Sequence, residues 1–279
     1  MSEDRAERCA LVTGTSSGIG AATARAFAAA GFRVFGTSRT ERQDADGVEM
    51  LRLDVRSDES VARCLAEIRS RGAWVEVLVN NAGVEHLGIA EETTLEEARA
   101  VFETNFFGVV RLTDALLPEM RTRQCGRIIN VGSAAAWVGE PGEAFYSASK
   151  RALAGYTEAL RHEVWPLGIE VSLVEPGAFR TNVIEAASSS EGTIPDYDAV
   201  REAARRTLRE SLRGGGDPSA VASLIVDVAR TTSPRLRYAV GSEARWLPYL
   251  RVLLPQRAFD RLLRRGFGLS RSPSEGRRR

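Results

Sequence analysis

The feature that most restricts this fold is a short apolar run that ends in glycine and passes straight into an alanine-rich stretch. Cys9-Ala10-Leu11-Val12-Thr13 leads into Gly14-Thr15-Ser16-Ser17-Gly18-Ile19-Gly20, and Ala21 to Ala30 follows before Gly31. The apolar run predicts a buried strand, the alanines a helix, and Gly31 its stop. A strand, a glycine turn and a helix point unpaired backbone N–H groups and a positive helix end at one place, where a pyrophosphate can bind. Glycines permit the tight turn and the close backbone approach. The spacing here is G-x-x-x-G-x-G, not G-x-G-x-x-G, so the usual dinucleotide fingerprint does not transfer unchanged. An ordinary strand-to-helix turn is the alternative.

The same alternation continues. A strand at Arg33 to Gly36 ends at Thr37-Ser38-Arg39, where an NAD site wants a carboxylate for the adenine ribose hydroxyls. Ser38 and Arg39 suit a ribose 2′-phosphate instead, because guanidinium pairs with phosphate oxygens two at a time. NADP(H) is therefore favoured over NAD(H), with a solvated loop charge at Arg39 as the alternative. Met50 to Leu53 predicts a third strand leading to Asp54-Val55, Ser57 a helix cap, and Glu59 to Ser70 a helix. Val75 to Val79 reads as a strand that meets Asn80-Asn81-Ala82-Gly83. From Thr94 a long helical stretch contains Asn105 beside apolar residues and Gly108, which predicts either a packing concession or a local break in the helix. Arg127 to Val131 is a strand ending at Gly132-Ser133, and Ile169 to Val174 one ending at Glu175-Pro176-Gly177-Ala178-Phe179-Arg180-Thr181. Alternation of this kind means parallel strands with crossovers on both faces and ligands at the carboxyl ends.

Between those last two strands lies Tyr146-Ser147-Ala148-Ser149-Lys150. Lys150 is the only lysine, every other member of the Lys+Arg class being arginine. On a helix, residues four apart share a face. An ammonium beside a phenol favours phenolate and brings its pKa towards neutrality. A phenol so tuned can act as general acid and base.

Taken together, Thr13-Gly14-x-x-x-Gly18-Ile19-Gly20, Asn80-Asn81-Ala82-Gly83, Asn105, Ser133, Tyr146-x-x-x-Lys150 and Pro176-Gly177 with Thr181 resemble the short-chain dehydrogenase/reductase family in its short, single-domain branch. The resemblance runs over roughly residues 6–241, and the end around Pro234 is similar to the hydroxysteroid and retinol dehydrogenase group. It implies a doubly wound, Rossmann-like, seven-stranded parallel sheet, and hydride transfer between a nicotinamide and an alcohol or ketone. It also implies that Tyr146 moves the hydroxyl proton and that Lys150 holds the nicotinamide ribose and lowers the tyrosine pKa. Ser133 would hydrogen-bond the substrate oxygen, and Asn105 would position a water that relays protons to Lys150. The cofactor would meet Gly14, Ser16, Ser17, Gly18, Ile19 and Gly20 at the turn and Ser38, Arg39, Asp54 and Val55 at the adenine end. Asn81, Ala82 and Gly83 would back it, Tyr146 and Lys150 would flank its ribose, and Pro176, Gly177, Phe179 and Thr181 would clasp it. Residues 1–243 would form the catalytic domain, with a substrate lid at about 182–216 and a C-terminal helical extension at 244–279.

Composition bounds the rest. The charges nearly cancel, with Lys+Arg 38 against Asp+Glu 37, which implies no nucleic-acid partner. Cys9, Cys64 and Cys125 are scattered and only His86 and His162 accompany them, so neither a disulfide framework nor a metal site is expected. No membrane-spanning run is present, and Met1-Ser2-Glu3-Asp4 does not resemble a signal peptide, which predicts a cytoplasmic protein. Trp246 to Leu263 is apolar and arginine-rich; packing on its own domain or on a sister subunit is favoured over a membrane-surface contact. A homodimer or homotetramer is expected. Trp137, Val138, Phe145, Phe179, Val183 and Ile184 near the expected pocket mouth predict a lipophilic alcohol or carbonyl substrate, and the reduced state of cellular NADP pools predicts reduction. The rival readings are a non-catalytic NADP-sensing or scaffold protein on the same fold, and an epimerase or dehydratase, which needs a larger C-terminal substrate domain.

Overall fold

The computed structural model describes residues 8–181, 187–190 and 192–269. In chain order the main elements begin with β1 (Cys9–Val12), α1 (Gly18–Ala29), β2 (Arg33–Ser38), β3 (Val48–Arg52), α2 (Asp58–Ser70), β4 (Val77–Asn80) and β5 (His86–Leu87). They continue with α3 (Leu95–Phe102), a π-turn (Glu103–Phe107), α4 (Gly108–Arg123), β6 (Gly126–Val131), α5 (Ala144–Val164), β7 (Ile169–Pro176) and β8 (Ser188–Ser189). The last are α6 (Asp198–Arg213), α7 (Pro218–Arg230), β9 (Arg237–Val240), α8 (Ser242–Leu253) and α9 (Gln256–Gly266).

Seven strands of the described residues make one sheet in the order β3-β2-β1-β4-β6-β7-β9, and every pairing in it is parallel. Strand side chains alternate between faces, and both faces here are covered, which is why the strands read as continuous apolar runs. Leu11, Leu78 and Ile128 enter one core with Leu65, Leu112, Met120 and Leu160 from α2, α4 and α5. Val12, Val79 and Ile129, one residue on, enter the other with Phe27 from α1 and Val221 and Ile225 from α7. This is the doubly wound, Rossmann-like architecture. The strand order reverses between β1 and β4, so their carboxyl ends open a crevice there.

Local chemistry explains the helix starts. Ser57 accepts the Ser60 N–H at the head of α2. Thr94 and Glu97 form a reciprocal capping box on α3, which satisfies two otherwise orphaned donors. The expected break around Asn105 is the π-turn, with Asn105 buried at its centre. Sequence periodicity did not reveal the two-residue strands β5 and β8, which pair with each other beside the main sheet. His86 Nδ1 lies 2.9 Å from Ser188 Oγ across that pair.

The C-terminal stretch is two helices rather than one run, broken at Leu254 and Pro255. Ala244, Phe259 and Phe267 are buried against the chain's own body, while Trp246, Tyr249, Val252 and Leu253 face outwards. No helix of the described residues is long and apolar enough to cross a membrane. Among the described residues no cluster of His, Cys, Asp and Glu is arranged to hold a metal ion, and the three cysteines are free thiols. Of the expected lid, residues 182–186 and 191 lie outside the described residues, as does the arginine-rich tail beyond Leu269.

A buried polar network fixes the centre of the sheet. Asn80 Nδ2 donates to Asn130 Oδ1 at 2.9 Å, and Asn130 Nδ2 donates to Thr157 Oγ1 at 2.9 Å. The network joins β4, β6 and α5, the three elements that deliver Asn81, Ser133 and Tyr146. Asn130→Ala removes two of these buried bonds, leaving Asn80 with Thr113 Oγ1 at 3.3 Å and Thr157 with the Leu153 carbonyl at 2.6 Å, at about 1–3 kcal/mol in all. Urea unfolding should show a loss of about 2 kcal/mol or more; a change below about 0.5 kcal/mol would mean the network is dispensable.

Candidate active site

The glycine turn and the Asn-Asn-Ala-Gly segment are built as one unit. Asn81 Nδ2 donates to the carbonyls of Thr13 at 2.9 Å and Gly14 at 3.2 Å. Thr13 Oγ1 accepts the backbone N–H groups of Asn81 at 2.9 Å and Ala82 at 2.8 Å. Gly14 and Gly18 hold φ of +69° and +58°, where side chains are disfavoured. A Cβ on Gly20 would lie 2.2 Å from the Gly14 carbonyl oxygen and 2.4 Å from Asn81 Nδ2. The glycines are therefore needed where the sequence has them.

Above this unit lies a cavity of about 540 Å³. Every expected cofactor residue lines it: Gly14, Ser16, Ser17, Gly18, Ile19, Gly20, Ser38, Arg39, Asp54, Val55, Asn81, Ala82, Gly83, Tyr146, Lys150, Pro176, Gly177, Phe179 and Thr181. Ser133 lines it too. The backbone cradle left open by three glycines, with the N-terminus of α1 behind it, fits a pyrophosphate.

Asn105 is the one expected site residue that does not face the cavity. It is buried behind it, where its Oδ1 accepts the Val84 N–H at 2.8 Å. Its Nδ2 donates to the Val84 carbonyl at 2.9 Å and to Ser149 Oγ at 3.1 Å. The side-chain amide is thus wholly engaged in holding the chain beyond Gly83 against α5.

The adenine end is more cationic than expected. Arg42 and Arg56 join Arg39 in the lining. Arg56 grips Asp54 in a bidentate pair, Nη2 to Oδ2 at 2.7 Å and Nε to Oδ1 at 2.9 Å. That hydrogen-bonded guanidinium holds the Asp54 carboxyl down at about 2. Asp54 is therefore ionised but already partnered.

At the other end Tyr146 and Lys150 occupy successive turns of α5 and both reach the cavity. Lys150 Nζ donates to the Val131 carbonyl at 3.0 Å and sits 5.7 Å from the centre of the Tyr146 ring. Ser133, just past β6, is held extended with its Oγ accepting the Ala135 N–H at 3.1 Å. Arg151 Nε donates to the Ala136 carbonyl at 2.8 Å and ties this loop to α5.

Two expectations need correction here. The phenol of Tyr146 is not lowered towards neutrality: burial pushes it well above its ordinary value, the nearby Glu85 carboxylate adds to this, and the Ser133 hydroxyl only partly offsets it. Lys150 is itself brought down to about 8, by burial first, so it is a weaker stabiliser of phenolate than spacing suggested. The second concerns the apolar mouth. Trp137, Val138 and Phe145 do not line the cavity, although Phe179 does. Val138 is buried in the fold, and the Arg237 guanidinium stacks over the Trp137 ring at 5.0 Å. Val183 and Ile184 lie outside the described residues.

What sequence reasoning missed is acidic. Glu85, Glu140, Glu143 and Glu243 line the cavity, as do Leu208, Ser211 and Leu212 of α6. Two signals were available: Glu85 stands two residues after Gly83, and Glu143 stands one helical turn before Tyr146. Burial, and then the proximity of like charge, raises Glu140 to about 7 and Glu143 to about 8.

Residues 8–192 match the family described as short chain dehydrogenase. The chain is 39% identical over 233 residues to a 3-ketodihydrosphingosine reductase of Bacteroides thetaiotaomicron, covering 83% of this chain and 87% of that one. It is 38% identical over 272 residues to retinol dehydrogenase 8 of Bos taurus, covering 90% and 86%. A crystal structure of a short-chain dehydrogenase from Streptomyces avermitilis superimposes with a TM-score of 0.81 at 38% identity, covering 95% of this chain and 99% of that one.

The raised carboxyls make stability depend on pH. Their protons are retained in the folded chain at pH values where the unfolded carboxyls, near their ordinary 4.5, have lost them. Their contribution is intact below about pH 4.5 and is lost as pH rises through about 7 to 8. Lys150 has the opposite sign, its burial cost being relieved only as pH climbs beyond about 8. Thermal unfolding followed from pH 5 to 8 should therefore show a falling Tm, and Glu140→Gln with Glu143→Gln should flatten the decline. Equal slopes in variant and parent would refute the assignment.

Proposed function

The chain belongs to the short-chain dehydrogenase family, and on that premise we propose that it reduces a lipophilic ketone or aldehyde with NADP(H), using Tyr146 as general acid. The family reading makes it an oxidoreductase acting between CH–OH and C=O groups with a nicotinamide cofactor. The observation that carries the finer reading is the convergence of Ser133, Tyr146 and Lys150 on the cavity that the glycine turn opens.

When bound, the nicotinamide supplies a hydride. The chain's own residues do the rest. Ser133 donates to the carbonyl oxygen as negative charge grows on it, a contribution made only in the transition state. Tyr146, a protonated phenol at neutral pH because burial disfavours its anion, gives its proton to that oxygen. A protonated resting phenol favours carbonyl reduction over alcohol oxidation. Lys150 holds the cofactor ribose and balances the phenolate left behind. In this reading the relay water belongs to the main chain of Asn105, since its amide is engaged with Val84 and Ser149.

NADP(H) is preferred over NAD(H) on electrostatic grounds. Arg39, Arg42 and Arg56 line the adenine end, and the nearby carboxylate, Asp54, is held by Arg56. A ribose 2′-phosphate would meet the guanidinium groups of Arg39 and Arg42 there. The ketone and alcohol names of the relatives, and Phe179 and Leu208 in the lining, support a lipophilic substrate.

The test is NADPH oxidation across a panel of keto-lipid, steroid, retinoid and simple ketones. Tyr146→Phe should lower kcat by about 10²–10⁴-fold, the usual worth of a positioned acid; undiminished turnover would remove Tyr146 from the chemistry. Lys150→Arg should also lose most activity, because a planar fork does not fit a site only 5% exposed and built around one ammonium. Arg39→Ala should raise KM for NADPH by about 10-fold or more while leaving NADH nearly unaffected. Equal changes for both cofactors would contradict the 2′-phosphate reading.

A further inference from the structure

A surface helix ordinarily turns its apolar stripe to the core, and α8 does the reverse. Trp246, Tyr249, Leu250 and Leu253 stand at i, i+3, i+4 and i+7, which is one stripe of the helix. All four are exposed, Trp246 at 66% and Leu253 at 76%, whereas α8 buries only Ala244. The Trp246 and Tyr249 rings lie 6.3 Å apart within that stripe. α9 packs the ordinary way round, with Phe259 buried and Arg257, Arg261, Arg264 and Arg265 exposed. Arg251 fixes one helix to the other, lying 5.0 Å from the centre of the Phe259 ring and donating to Gln256 Oε1. Among the described residues no carboxylate lies within ion-pair distance of an arginine in α8 or α9.

Charge is segregated in the same place. Residues 242–279 hold ten arginines against Glu243, Asp260 and Glu275, a side-chain charge of +7, while the whole chain carries only +1 and residues 1–241 therefore −6. This narrows the occupant of the α8 face. A second copy docking face to face would set these arginines against their own equivalents, because both partners of a twofold contact use the same patch. An anionic bilayer surface meets both components at once. Trp and Tyr rings settle at headgroup depth and leucines enter the acyl boundary. Arginine stems lie along apolar surface while their guanidinium groups stay among phosphates. We propose that α8 and α9 dock the protein on an anionic lipid surface, lying in the interface without crossing it. The docking face starts at the cavity: Glu243, the second residue of α8, lines it with Gly177, and the Ala244 backbone stands against Gly177. Docking therefore keeps the cavity within about 20 Å of the leaflet, the length of α8. The inference goes beyond hydride transfer and does not depend on it.

Flotation of the purified full chain with lipid vesicles tests this without requiring turnover. The chain should float with phosphatidylcholine vesicles containing about one-third phosphatidylserine, and stay behind with phosphatidylcholine alone. Raising the salt from about 0.1 M to about 0.5 M should release most of it. Trp246→Ser with Leu253→Ser should lower the partition coefficient by about 10-fold or more, through lost apolar burial. Arg257→Gln, Arg261→Gln and Arg264→Gln together should lower it by about 100-fold, at about fivefold per arginine. The two sets change exposed side chains on different helices, so one still decides if thermal unfolding shows that the other has damaged the fold. No flotation with either vesicle, flotation indifferent to lipid charge, or flotation that survives a correctly folded set of substitutions overturns the proposal. An oligomer that floats with neither vesicle and that the serine variant dissociates in sedimentation would overturn it too, and would give the face to a second copy.

Discussion

The side-chain amide of Asn81 is the interaction on which the rest of the structure depends. It crosses the point where the sheet reverses its strand order and donates to the carbonyls of Thr13 and Gly14 at the end of β1. Thr13 Oγ1 returns the contact by accepting N–H groups from Asn81 and Ala82. With both strand ends fixed, α1 can approach only because residue 20 has no side chain. Backbone N–H groups at the head of α1 then face the cavity instead of pairing with protein, and a phosphate is the natural occupant of such a cradle.

The sheet also carries the chemistry. β4, β6 and β7 end side by side, so Asn81, Ser133 and Pro176 arrive at one rim. The Asn80–Asn130–Thr157 bonds hold α5 to that rim, which sets the height at which Tyr146 meets Ser133. Burial then determines the protonation states: it keeps the phenol neutral, draws the ammonium of Lys150 down, and leaves Glu140 and Glu143 partly protonated near neutral pH. The site is thus strongly polarised along its length. Guanidinium groups gather at the adenine end and carboxyl groups at the reacting end.

Much of this was legible in the chain itself, and the parts that were not share a cause. Strand identity and order of appearance followed from apolar runs ending in polar or glycine signals, because a parallel sheet buried on both faces leaves such runs. The break at Asn105 was visible as a poor helix former among apolar neighbours. The residues that escaped notice act through proximity rather than pattern. Arg42 and Arg56 are ordinary loop arginines until the fold brings them beside Arg39. Glu140 and Glu143 sit in a loop rich in small residues, and nothing local shows that their carboxyls are buried. The effect of Lys150 on Tyr146 was overestimated for the same reason, since helical spacing predicts adjacency but not desolvation. The small β5–β8 pair joins residues about a hundred positions apart and is too short to show a period.

The central claim is that hydride and proton reach one carbonyl at the rim formed by Ser133 and Tyr146. Isotope transfer tests it most directly. A ketone turned over by the chain would be incubated with NADPH deuterated at the hydride-donating ring carbon, and the product alcohol examined by mass spectrometry and NMR. The account predicts one deuterium, bonded to the carbinol carbon and confined to a single face of it. Product without deuterium at that carbon, or with deuterium on both faces, would contradict it.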